Sequence, residues 1–173
     1  MRTLEVRRHS MRDMAGQHLT QAGVDLARRV GSRLGRFERV VTSTLPRAFE
    51  TAIAMGFAVD EQIEQLAMMS EAVTAIVRWD AGYLSWARAA ANSAIVANYT
   101  QRQADLWRSI VRGLPENGRA LIISHGGIVE AGTIGCVATD PRVADSEPCG
   151  YCEGVRLTFD GDKVIDVEIL RNS

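Results

Sequence analysis

The chain has 173 residues, 46% of them hydrophobic and 24% charged, with a formal net charge of −1. That length suits one core rather than two with a linker, so the expectation is a single domain over residues 1–173. The balanced charge argues against a nucleic-acid partner, no apolar run reaches the ~18 residues of a membrane span, and residues 1–10 hold no apolar signal-peptide core. Lys163 is the only lysine, so arginine supplies nearly all the positive charge, a bias that codon usage explains better than function does. Cys136, Cys149 and Cys152 are too few for a disulfide-stapled fold and point to a reducing, cytoplasmic compartment.

The first element is a short strand at 3–7, followed by a polar loop through Gln17. Thr20 is an N-cap, and Val24, Leu26, Ala27, Val30 and Leu34 recur at helical spacing behind it. Residues 39–42 are β-branched enough for a second strand. Pro46 then suits the first turn of a helix running to Met55. Residues 61–112 read as mostly helical, with breaks expected at Gly82 and near 98–100. A turn at 115–118 precedes the continuous apolar run 120–124, the pattern of a strand buried on both faces. Residues 128–137 read as a helix and 138–150 as a loop. Residues 154–159 and 163–170 make a hairpin around Asp160-Gly161-Asp162. Strands alternating with helices and then a hairpin predict an α/β fold: a three-layer α/β/α sandwich, with a mostly parallel central sheet and a C-terminal antiparallel hairpin.

In such folds ligands bind beyond the carboxyl ends of the strands. Three of those ends carry reactive chemistry: Arg8-His9, Ser43 to Arg47, and Ser124-His125-Gly126-Gly127. Each signal is weak alone. Together, two histidines and two arginines at neighbouring strand ends predict a small, strongly positive cup without a metal. On this reading Arg7, one residue before Arg8, points to the opposite side of its strand, towards solvent.

These residues resemble a known family. Arg8-His9, Leu19-Thr20-Gln21-Ala22-Gly23, the run Ser43-Thr44-Leu45-Pro46-Arg47-Ala48-Phe49-Glu50-Thr51-Ala52, and Ser124-His125-Gly126-Gly127 look like the histidine phosphatase superfamily, with its phosphoglycerate mutase-like fold. The motifs occur in family order over residues 7–127. The resemblance implies that His9 is the nucleophile that becomes phosphorylated, while Arg8, Arg47 and His125 bind the phosphoryl group. The chemistry is consistent with those roles. A neutral imidazole attacks phosphorus near neutral pH, arginine forks match the phosphoryl oxygens, and a phosphohistidine divides one hard displacement into two easier ones.

The sequence also departs from the family pattern. Ser10 stands where glycine is common; its N–H or hydroxyl is a candidate phosphate contact, and Gly126 is a second. The acidic proton donor is missing from its usual register, where Leu66 is followed by Ala67-Met68-Met69. Glu71 is the best candidate, with Glu64 and Asp80 behind it, and each reads equally well as a surface carboxylate. Arg12 suits either the pocket mouth or a solvated loop. His18 reads as a packing residue. Met68, Met69, Trp79, Tyr83 and Trp86 suit a hydrophobic core better than a substrate wall, though both readings stand.

Cys149-Gly150-Tyr151-Cys152 could be a redox pair or half a zinc site. Its place before the hairpin, and the lack of further free ligands, favour structural cysteines. The expected function is therefore a metal-independent phosphohydrolase with no cofactor, acting on a phosphorylated small molecule or phosphoprotein. A non-catalytic phospho-ligand binder is the alternative. A phosphoglycerate mutase is less favoured, because so short a chain leaves little for a water-excluding lid. Oligomeric state and the substrate beyond its phosphoryl group are not legible.

Overall fold

Among the described residues six strands join in one sheet: β1 (Arg2–Arg8), β2 (Arg39–Thr42), β3 (Glu61–Gln62), β4 (Arg119–Ser124), β5 (Gly154–Asp160) and β6 (Lys163–Leu170). Their order is β3-β2-β4-β1-β5-β6; the first four in this order are parallel, and β5 and β6 continue antiparallel. The helices are α1 (Gln21–Gly31), α2 (Pro46–Ala54), α3 (Glu71–Thr74), α4 (Tyr83–Asn92), α5 (Ala94–Arg112), α6 (Ile128–Val137) and α7 (Pro141–Ala144). The computed structural model describes residues 1–137, 140–144 and 146–172.

Side-chain alternation along the strands sorts the apolar residues into two cores. Ala120 and Ile122 of β4, with Leu4 and Val6 of β1, pack against Trp86 of α4, Trp107 of α5 and Val129 of α6. Leu121 and Ile123 face the other way, onto Ala27 of α1 and Ala48 and Ala52 of α2. The three-layer expectation is met. α6 is buried from Ile128 to Ile134, and Gly132 is what admits the Trp107 ring, since a Cβ there would lie 2.2 Å from it.

Caps account for several boundaries. Thr20 accepts from Gly23 N–H at the start of α1, and Pro46 opens α2. Gly82 precedes α4 at φ +83°, a conformation that favours glycine. The helical reading of 61–112 needs correction. Residues 61–62 form β3, 64–66 a 3-10 turn, and only four residues make α3. The break falls at Ser93, whose side chain accepts from Val96 N–H, and not at 98–100, which lie inside α5.

Arg7 also departs from expectation. It does leave the opposite face of β1 from Val6, but it is buried and bonds Glu5 Oε2 at 3.0 Å and the Cys152 carbonyl at 2.8 Å. Glu5 is fully buried and is matched as well by Arg119 and Arg156. A buried carboxylate is tolerable only when cations surround it.

Candidate active site

Strand register assembles the cup. Arg8 on β1 sits opposite Ser124 on β4, and the next residue on each strand is a histidine. His9 N–H donates to the Ser124 carbonyl at 2.9 Å, and Ser43 N–H to the Ile123 carbonyl at 3.1 Å, so the ends of β1, β4 and β2 are tied together. The rings of His9 and His125 lie 5.2 Å apart. A cavity of about 320 Å³ opens above them, lined by Arg8, His9, Arg12, Met14, Arg47, Trp79, His125, Gly126 and Tyr151.

Each imidazole is held in one orientation. His9 Nδ1 lies 2.7 Å from the Ser10 carbonyl, which can only accept, so Nδ1 carries the proton and Nε2 keeps its lone pair. Arg47 Nε donates to that Nε2 at 3.2 Å. His125 Nε2 lies 2.7 Å from Ser43 Oγ, and its buried Nδ1 has no partner among the described residues. With the Ser43 hydroxyl donating to Nε2, Nδ1–H is left free to donate. Burial pushes the pKa of both histidines down to about 3, and the neighbouring Arg47, Arg8 and Arg12 push the same way. Both rings are therefore neutral. The positive charge of the cup belongs to three guanidiniums.

Arg8 packs against two rings, with its guanidinium carbon 4.3 Å from the Tyr151 centroid and 5.2 Å from that of Trp79. One Nη donates to the Cys149 carbonyl at 3.0 Å, whereas the buried Nε has no partner among the described residues. The residues that position it come from two loops. Gly127, at φ +83°, packs so closely under the Trp79 backbone that a Cβ would lie 2.9 Å from it. Glu130 then joins the loops, accepting from Gly127 N–H at 2.7 Å and Cys149 N–H at 2.8 Å. Arg12 is braced by the carbonyls of Asp13 and Gly16, and Arg47 contacts Gln17 Oε1.

The family model of the histidine phosphatase superfamily, branch 1, matches residues 3–170. The chain belongs to that superfamily. A phosphoserine phosphatase from Entamoeba histolytica, solved with 3-phosphoglyceric acid, is similar with a TM-score of 0.73 and 18% identity, covering 99% of this chain and 98% of that one. A mycobacterial glucosyl-3-phosphoglycerate phosphatase, solved with VO3, has a TM-score of 0.69 and 19% identity, with 100% of each chain covered. A phosphoglycerate mutase from Bacillus anthracis has a TM-score of 0.66 and 16% identity, covering 97% of this chain and 92% of that one. At such identities the likeness is one of fold, which is phosphoglycerate mutase-like. No curated protein matches.

In this histidine phosphatase, Arg8, His9, Arg12, Arg47, His125 and Gly126 all line one cavity. Ser10 does not. Its N–H donates to Thr51 Oγ1 at 2.9 Å and its hydroxyl to the Gly23 carbonyl at 2.6 Å. Because both donors are committed to α1 and α2, what Ser10 offers the site is the carbonyl that orients His9, and the expectation of a direct phosphate contact is corrected.

Glu71 stands exposed in the first turn of α3, Glu64 is exposed, and Asp80 pairs with Arg78 at 2.8 Å; none of them lines the cavity. His18 is exposed and pairs with Glu50, so it is not a packing residue. Of the apolar group, Trp86 and Tyr83 are core, while Trp79 stands in the cavity wall.

Cys149 and Cys152 are free and buried, and the Cys149 thiol donates to the Glu153 carbonyl at 3.0 Å. Burial pushes both thiols up, away from the reactive thiolate, as structural cysteines require. Among the described residues no His/Cys/Asp/Glu group is placed to hold a metal. Sequence reasoning gave Ser43, Tyr151 and Glu130 no role of their own in the site. Ser43 was visible as the residue ending a strand, but the other two act through loop contacts that carry no local signature.

Proposed function

We propose that this phosphatase hydrolyses a phosphorylated substrate through a phosphohistidine on His9, with residues 1–173 acting as one unit. The observation that carries the reading is the His9 ring: Nδ1–H is tied to the Ser10 carbonyl and Nε2 is turned to Arg47 in the cavity. A neutral Nε2 lone pair is the nucleophile. Arg8 and Arg47 meet the phosphoryl oxygens, and His125 Nδ1–H supplies a further donor. Arg12 at the mouth adds charge, and Gly126 leaves room for the oxygens. Preorganised donors aimed at developing charge are the main source of catalysis in phosphoryl transfer. The reaction needs no cofactor or metal from this arrangement.

The similar proteins from Entamoeba histolytica and mycobacteria, named for phosphoserine and glucosyl-3-phosphoglycerate, support a phosphorylated small molecule as substrate. A phosphoprotein fits the same phosphoryl pocket. Unpaired cysteines support a cytoplasmic setting, and no described helix is long and apolar enough to cross a membrane. The test is turnover of p-nitrophenyl phosphate with free phosphate release, lost in His9→Ala. Phosphate binding without any turnover would overturn the proposal in favour of a binding protein. Isomerisation of 3-phosphoglycerate faster than phosphate release would instead make the enzyme a mutase.

A further inference from the structure

The side chains around the cavity differ sharply in exposure. His9 and His125 are buried at its floor, only 4% and 8% exposed, whereas Trp79 is 49% exposed and Met14 81%. Large apolar side chains so open to water are informative where they gather at a pocket. Both are held in place. Met14 rides a loop that Arg12 braces, its Nη1 donating to the carbonyls of Asp13, Met14 and Gly16. The Trp79 centroid lies 5.2 Å from the Arg8 guanidinium carbon, and Gly126 makes room for the ring, since a Cβ there would lie 3.0 Å from it. Tyr151 packs against the same guanidinium at 4.3 Å, and its ring is 5.8 Å from that of His9.

We propose that the group carried on the phosphoryl is a flat aromatic one, so that the substrates of this site are small aryl phosphates. The inference rests on the phosphohistidine reading above. In-line transfer puts the attacking and leaving atoms on opposite sides of phosphorus. With His9 Nε2 attacking from the buried floor, the leaving oxygen points to the opening, where Met14, Trp79 and Tyr151 stand. The P–N bond forms, the P–O bond to the aryl oxygen breaks, and the electron pair leaves with that oxygen. The phenolate, whose conjugate acid has a pKa of about 10, takes its proton from water. A second water then attacks phosphorus, the P–N pair returns to His9 Nε2, and both protons of that water leave on dihydrogen phosphate.

Size and surface chemistry support the same class. A volume of about 320 Å³ lies at the lower end for small-molecule pockets and suits a phosphoryl group with one ring system. An aryl group buries the exposed apolar surface of Trp79 and Met14, whereas a polyhydroxy chain laid on that surface would strip water from its hydroxyls. Aromatic pairing with Trp79 is worth about 2- to 13-fold beyond area alone, and the Met14 thioether suits a ring edge.

The experiment measures kcat/KM on the full chain for two pairs of esters, each against His9→Ala. Benzyl phosphate and glycerol 3-phosphate both expel a primary alkoxide and differ in the ring. Phenyl and 2-naphthyl phosphate both expel a phenolate and differ in ring area. Leaving-group chemistry is thus matched within each pair. Benzyl should lead glycerol, and naphthyl should lead phenyl, by about 2- to 13-fold. Trp79→Leu should bring both ratios close to one, whatever it does to the absolute rates through Arg8. Met14→Gln, at an exposed loop tip, should lower the naphthyl-to-phenyl ratio by about 2-fold or more. Equal turnover within either pair, or ratios that survive both substitutions, would overturn the proposal and leave the phosphatase standing. A phosphotyrosyl peptide turned over ahead of phenyl phosphate would overturn the assignment to a small molecule. If no ester shows His9-dependent turnover, the phosphohistidine reading itself falls, and this inference with it.

Discussion

Lowering the pH from 7 to 5 should destabilise the folded protein through His9 and His125 together. Each is buried, and each has its pKa taken from 6.5 to about 3 by folding. In that window the unfolded chain binds protons that the folded chain refuses. Stability is therefore fully present above about 6.5 and is lost as the pH falls towards 3. Integrating the linkage relation from pH 7 to 5 gives a loss of about 2 kcal/mol per histidine, or about 4 kcal/mol for the pair. That is a large part of the roughly 5–15 kcal/mol that holds a typical domain folded. Glu130 works in the opposite sense, since burial raises its pKa, and so the net loss alone would not be diagnostic. The assay is urea unfolding followed by tryptophan fluorescence at pH 7 and 5, for the native protein and for His9→Gln and His125→Gln. Glu130 is common to all three and cancels in the comparison. Each variant should lose about 2 kcal/mol less than the native protein over the interval. An unchanged pH dependence in both variants would refute the neutral-cup electrostatics on which the nucleophile assignment depends.

Two further substitutions test the supports of the cup. Ser43→Ala removes the hydroxyl 2.7 Å from His125 Nε2; the freed ring can present either tautomer, and kcat/KM for p-nitrophenyl phosphate should fall by about 2- to 13-fold, the value of one hydrogen bond, with Ser43→Thr restoring it. Gly126→Ala places a methyl 3.0 Å from the Trp79 ring and 3.4 Å from Arg8 Nε. Displacing that ring should weaken phosphate binding by about 2- to 5-fold, the value of an exposed cation–π contact, which calorimetry would read directly.

Much of the site was legible because it lies at strand ends, where local patterns are strong. The run 120–124 specified a strand buried on both faces, and its register with β1 brought His9 and His125 together without further information. The segment between residues 61 and 82 was not legible. Its composition suits a helix, yet it forms β3, a 3-10 turn and α3, because tertiary contacts override propensity there. Leu66 is buried and its carbonyl accepts from Ser124 Oγ, while Met69 packs near Gly127. Those contacts lie about 60 residues away in sequence. Arg7 was misplaced for a related reason: pattern alone marks an arginine as solvated, and only the buried Glu5 beside it on the same face explains its burial.

That same segment carries the second departure from the family pattern, the missing acid. It is where an acid would be expected, and it instead delivers Trp79 to the face of Arg8. Tyr151, carried on the loop between Cys149 and Cys152, also packs against that guanidinium. Both rings pack against one guanidinium of the cup, while Glu130 is spent on tying the loop at 127 to the loop at 149. A carboxylate in the wall would pair with Arg8, Arg12 or Arg47 and weaken their hold on a dianion. Aromatic surface in its place keeps all three guanidiniums available for phosphate.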